Sequence, residues 1–117
     1  MNYVDGFVLA VPRDNVEAYK KVAENAAAIW KEHGALDYVE AMGDDVPEGK
    51  LTSFPMAVKA EEGEVVFFSW ITYASREERD RINAIVMKDP RMKMDPKDNP
   101  FDMKRMIYGG FKTVVQA

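Results

Sequence analysis

At 117 residues, with 47% apolar and 31% charged side chains, the chain has the size and composition of one compact globular domain spanning 1–117. Its net charge of −4 and pI near 5.0 have the wrong sign for gripping a phosphate backbone, so nucleic acid is not an expected partner. There is no cysteine, which removes disulfides, thiolate metal sites and cysteine nucleophiles and suits a reducing, cytoplasmic setting.

Met1–Gly6 carries no basic segment ahead of an apolar run, so a signal peptide is not expected. No apolar run approaches the roughly 20 residues that span a bilayer, so no membrane partner is expected either. Residues 3–11 read as a β-strand ended by Pro12. Asp14 and Glu17 have the spacing of a capping box, and Val16, Tyr19, Ala23, Ala26, Ala27 and Trp30 then recur at helical steps. Gly34, just after His33, is a natural stop for that helix. A second strand is expected at about 35–43, with Asp37, Val39 and Ala41 on one face and Tyr38, Glu40 and Met42 on the other. Residues 44–50 are turn chemistry, and 51–60 suit either a short strand or one helical turn around Pro55. The run Glu64–Tyr73 is the strongest strand signal in the chain. Ser75 and Glu78 make a second capping box for a helix from Arg76 to Lys88, which Asp89-Pro90 ends. Residues 90–104 read as an irregular, proline-containing connection, and 105–115 as a closing strand with a glycine bulge at Gly109-Gly110. The order β-α-β-β-α-β predicts an α+β, ferredoxin-like sandwich with both helices on one sheet face.

Both faces of that sheet are apolar. Val65, Phe67, Ile71 and Tyr73 oppose Val66, Phe68 and Trp70, while Phe7, Leu9 and Val11 oppose Val4, Val8 and Ala10. Two helices cannot cover both sides, and packing the open face on a second copy removes the cost, so a homodimer is expected. The alternative is that segments 44–60 and 90–104 fold over the second face.

Trp30–Tyr38, Thr52–Ala60 and Val66–Ser75 together resemble the YbaA-like bacterial family of unknown function, along essentially the whole chain. The resemblance implies a dimeric α/β barrel of the ferredoxin-like superfamily and attaches no reaction to it. Related barrels that act as cofactor-independent monooxygenases often carry a histidine on the second helix; Arg76–Lys88 has none.

His33 is the only histidine, read either as a general acid/base or as a helix-end residue bonding a last carbonyl. With one histidine and no cysteine, no metal site is expected, and no cofactor fingerprint is present. Asp5, Asp37 and Glu40 interrupt strands, and Arg105, at the start of the last one, is a candidate partner for one of them. Asp5 is the other catalytic candidate. Five of the eight methionines fall between Met87 and Met106, as in a flexible cover over an apolar pocket lined by Trp30, Phe67 or Phe68, and Trp70. Trp30, Tyr38, Phe68, Trp70, Arg105 and Tyr108 are the candidate ligand-binding residues. The favoured reading is a protein that binds a small apolar or aromatic molecule. The alternatives are a cofactor-independent monooxygenase- or isomerase-like enzyme, and a structural or protein-interaction module.

Overall fold

The computed structural model describes residues 1–117, and two ten-residue strands form its centre. β1 (Tyr3–Pro12) runs antiparallel to β3 (Glu64–Tyr73), in unbroken register from Tyr3 opposite Tyr73 to Pro12 opposite Glu64. β2 (Asp37–Met42) pairs with the free side of β3, and β4 (Ile107–Lys112) with the free side of β1. The result is one antiparallel sheet in the order β2-β3-β1-β4. α1 (Val16–Glu32) and α3 (Arg76–Lys88) cover one face, while α2, the single turn Phe54–Ala57, lies on the other. The fold class is therefore α+β, and 51–60 takes the helical-turn alternative. No helix is long and apolar enough to cross a membrane.

α1 buries Tyr19, Ala23, Ala26, Ile29 and Trp30, a stripe at helical spacing that meets Leu9, Val11, Phe67 and Ile71 of the sheet. Its end is a Schellman turn: Gly34 N–H donates to the Lys31 carbonyl, and Ala35 N–H to that of Trp30. Gly34 has φ +118°, which a side chain rarely adopts. The start of α1 differs from expectation. The chain leaves β1 through a 3₁₀ turn, Arg13–Asn15, and Asn15 sits at the cap position without a capping bond. Its side-chain amide instead donates to the Pro100 carbonyl, so the Asp14–Glu17 box is not formed. The second box is half made. Ser75 Oγ accepts from Glu78 N–H, whereas the Glu78 carboxylate turns to Arg81. α3 buries Ile82 and Val86 completely, side chains worth about 1.5–3 kcal/mol each in apolar burial.

β4 corrects a second expectation, because its register with β1 is continuous and no bulge is present. Gly110 serves space instead. A Cβ on Gly110 would lie 2.4 Å from both Arg79 Nη2 and the Tyr3 hydroxyl oxygen. That gap admits Arg79, which bonds Tyr3 Oη at 3.0 Å, stacks over the Tyr3 ring and faces Asp5 at 3.4 Å. β4 also starts later than expected, so Arg105 precedes it in a 3₁₀ turn.

The second face is covered at one end only. Val58 is fully buried against Val8, Ala10 and Val66, and Phe54 packs edge-on to Phe68. Residues 90–104 lie on the helix side, so they do not close this face. The segment carrying Val58 ends in another Schellman turn, with Lys59 N–H bonded to Met56 and Ala60 N–H to Pro55. Lys59 takes the left-handed position there, at φ +51°, and its side chain is exposed.

Arg105 fastens the end of the 90–106 connection to the edge of this segment. It makes two parallel bonds to Glu64, at 2.7 and 2.8 Å, one to Asp102 and one to the Lys59 carbonyl. Hydrogen bonding from Arg105 holds the Glu64 carboxyl below its usual range.

Two outcomes follow. Lys59→Gly removes a left-handed side chain costing roughly 1–2 kcal/mol and adds some backbone entropy to the unfolded chain. The net expectation is a gain of about 0.5–1 kcal/mol in urea unfolding, and a loss would contradict the strain. A depressed carboxyl pKa stabilises the fold above the unfolded value, about 4.3, and that stability is lost as pH falls through the lower folded value. Arg105→Met should therefore destabilise the protein at neutral pH by about 1–3 kcal/mol. It should also flatten the acid limb of the stability curve in denaturant titrations from neutral pH downward.

Candidate functional site

The helix side of the sheet is not filled. Between β1, β2 and β3 below, α1 beside and residues 92–106 above lies a cavity of about 570 Å³, within the range of small-molecule sites. Its floor includes Phe7, Tyr38 and Ile71, its side wall Ala26 and Trp30, and its roof Met92, Met94, Phe101, Met103 and Met106. The roof exists because 90–106 advances as three short 3₁₀ turns. Asp89, Asp95 and Asp102 each cap one of them by accepting a backbone N–H. Those turns present thioethers inward along an irregular path that a regular helix would not follow. Of the five methionines between 87 and 106, four face the cavity, and Met87 is exposed on α3.

The polar pole of the cavity is Glu40. Strand alternation puts Glu40 and Tyr38 on the helix face, where α1 brings Tyr19 against them. Tyr19 Oη donates to Glu40 Oε1 at 2.8 Å, and Tyr38 Oη donates to Oε2 at 3.1 Å. Burial raises the Glu40 carboxyl above its ordinary range even though both tyrosine bonds favour the ion. Burial, reinforced by the Glu40 charge, also drives both phenols upward, so they stay protonated as donors. Beyond this trio lies a second hollow of about 470 Å³ that shares Tyr19, Tyr38 and Glu40 and is flanked by Lys20, Glu24 and Phe67.

The other sequence candidates lie elsewhere. Asp5 is buried under α3, where its Oδ2 accepts from Tyr73 Oη at 3.2 Å and from Asn83 Nδ2 at 3.4 Å. Trp30 Nε1 joins this network through Tyr73 Oη and Asn83 Oδ1, each at 3.1 Å, so one indole links the network to the cavity wall. His33 caps α1 away from the cavity. Its Nε2 bonds no carbonyl and lies 3.6 Å from carboxylate oxygens of Glu32 and Asp89. These three groups bring possible ligand atoms within 4.8 Å of one another, but Arg91 already bonds both carboxylates and fills the place of a cation. Arg105 pairs with Glu64 and Asp102, not with Asp5, Asp37 or Glu40.

Phe68 and Trp70 occupy the opposite face of the sheet, so they cannot share a pocket with Trp30. They line an open hollow of about 420 Å³ with Val4, Val8, Ile107 and Phe111. Tyr108 stacks on Phe7 at the β4 edge and is mostly exposed. Of the expected ligand-binding residues, the cavity therefore gathers Trp30 and Tyr38. It adds Glu40 and Tyr19, which the sequence marked only as a strand-interrupting acid and a stripe residue.

The chain matches, over residues 2–103, the family described as "Protein of unknown function (DUF1428)". It is 57% identical over 115 residues to "Uncharacterized protein YbaA" of Escherichia coli (strain K12), covering 98% of both chains. The same figures hold for the protein of that name in Shigella flexneri. Among solved structures it is similar to a nipsnap family protein with unknown function from Agrobacterium tumefaciens, at a TM-score of 0.56 and 14% identity. That match covers 96% of this chain and 87% of the other, and it extends to the α/β fold alone. With a family match along most of its length and a 57% identical relative, the chain belongs to the DUF1428 family, together with YbaA.

Proposed function

We propose that this protein binds a small apolar or aromatic molecule in the cavity beneath residues 92–106, as a ferredoxin-like β-α-β-β-α-β unit that dimerises through its open sheet face. The observation that carries the binding reading is the cavity itself. An opening of about 570 Å³ walled by aromatic rings and thioethers is costly to leave hydrated and well suited to an apolar occupant. Methionine roofs adapt to more than one shape, because an unbranched thioether repacks at little cost. Neither of the catalytic candidates, His33 and Asp5, lines this cavity, so binding is the reading it supports.

The dimer rests on the other face. The molecule measures 38 × 37 × 20 Å, a slab with one helix layer on its sheet. Phe68, Ile107 and Phe111 remain 44%, 45% and 63% exposed on the uncovered side, beside Val4 and Trp70. A contiguous apolar patch of this kind marks an interface, and a twofold pair closes it with one copy of the same surface. A cytoplasmic location fits the cysteine-free composition.

Indole is a suitable first probe for the cavity. At a hundred times its Kd it should stabilise the protein by about 2.7 kcal/mol, read as a rise in Tm of several degrees. Ala26→Phe, which places a ring in the cavity, should abolish that rise while the protein still folds. Stabilisation by indole that survives Ala26→Phe would move the site elsewhere. For the interface, wild-type protein at micromolar concentration should sediment at twice the chain mass, and Phe68→Glu should halve it. A wild-type protein that sediments as a single chain would remove the dimer from the proposal.

A further inference from the structure

Four acids in or beside the fold's main elements have little exposed carboxylate surface or lie half-buried in a strand: Asp5, Glu40, Glu64 and Asp89. Three are matched by arginine. Asp5 faces Arg79 at 3.4 Å, Glu64 is held by Arg105 at 2.7 Å, and Asp89 by Arg91 at 2.6 Å. Glu40 has no such partner. It is bonded only by the two phenols, and it points at the cavity.

A desolvated carboxylate without a cation is an unfavourable state, as its raised pKa reflects. The pole around it also has a definite hydrogen-bonding sense. The Tyr19 and Tyr38 protons are already spent on Glu40, so the carboxylate and both phenol oxygens offer lone pairs to any occupant. Such a pole accepts hydrogen bonds; it does not donate them. Aromatic rings cluster beside it: Trp30 lies 6.0 Å from Tyr38, and Tyr19 lies 5.4 Å from Phe101 and 4.9 Å from Phe67, centroid to centroid. A carboxylate beside electron-rich aromatic rings favours a cation.

We infer that the occupant of this cavity is an apolar amine, whose ammonium group pairs with Glu40 while its hydrocarbon or aromatic body lies under the methionine roof. The inference rests on the binding function proposed above and narrows it to one chemical class. Other charged groups face the space as well. Asp95, Asp102 and Lys104 look in from the connection, and Glu17, Lys20 and Glu24 flank the neighbouring hollow from α1. Asp102 is committed to Arg105, and neither Lys20 nor Lys104 is in ion-pair contact with Glu40. Anionic occupants meet Glu40 and Asp95 and are disfavoured.

Three 3-substituted indoles separate the possibilities by calorimetry: tryptamine as the cation, 3-ethylindole as a neutral analogue and indole-3-propionate as the anion. Wild-type protein at neutral pH should bind tryptamine at least about tenfold more tightly than 3-ethylindole, and the anion most weakly. E40Q should erase the preference for tryptamine over 3-ethylindole. Should E40Q fail to fold, titrating the wild-type protein into acid decides. The tryptamine preference must collapse as Glu40 takes up its proton, while 3-ethylindole binding holds. Equal affinity for amine and neutral indole, or a preference that E40Q or acid leaves intact, overturns the amine and keeps the apolar cavity. Binding of none of the three overturns both.

Discussion

The pairing of β1 with β3 along ten residues divides some twenty side chains between two surfaces, and both shares are apolar. Alternation leaves no freedom in that division, because a one-residue slip would exchange the faces entirely. One share, with Leu9, Val11, Phe67, Ile71 and Tyr73, meets α1 and α3. The other, with Val8, Ala10 and Val66, meets only the short segment around Val58. The cavity on the helix side and the hollow on the far side both mark where this covering is incomplete.

The covering fails on the helix side for a reason of volume. α1 meets the sheet through Ala23 and Ala26, side chains too small to fill the space above Phe7 and Ile71. Tyr19 and Trp30 prop the helix at either end of that gap, one through Glu40 and the other through Tyr73 and Asn83. Each prop is a polar bond at least partly withdrawn from water, and such bonds fix geometry more strictly than apolar contact does. The cavity is thus bracketed by two hydrogen-bonded aromatic side chains. The connection from Asp89 to Met106, pinned by Arg91 at its start and Arg105 near its end, spans the top.

Much of this was readable from the residues, because strong local rules and tertiary packing agreed. The strand at 64–73, the α1 stripe, the Gly34 stop and the Ser75 cap are short-range signals that the fold keeps. The readings that failed were local rules overruled at a distance. Asp14 and Glu17 have capping-box spacing, but Asn15 is drawn away by Pro100, 85 residues on. Gly109-Gly110 suggests a bulge, yet Gly110 is there to admit Arg79 from α3. The trio of Tyr19, Tyr38 and Glu40 spans a helix and a strand, and nothing in the spacing of 19 and 40 joins them. A usable clue was present, since Tyr38 and Glu40 share one strand face and α1 had to pack on it. Aromatic character alone groups Phe68 and Trp70 with Trp30, although their alternation with Phe67 and Ile71 already puts them on the other side.

The chain has two tryptophans, and the sheet stands between them. Trp30 is bonded through its indole nitrogen in the wall of the helix-side cavity, whereas Trp70 lies half-covered on the far surface beside Phe68. Each ring therefore senses a different event. Emission from a Trp70→Phe protein reports what enters the interior, and emission from a Trp30→Phe protein reports what settles on the exterior. The molecule carries separate optical probes for its two surfaces, with no label added.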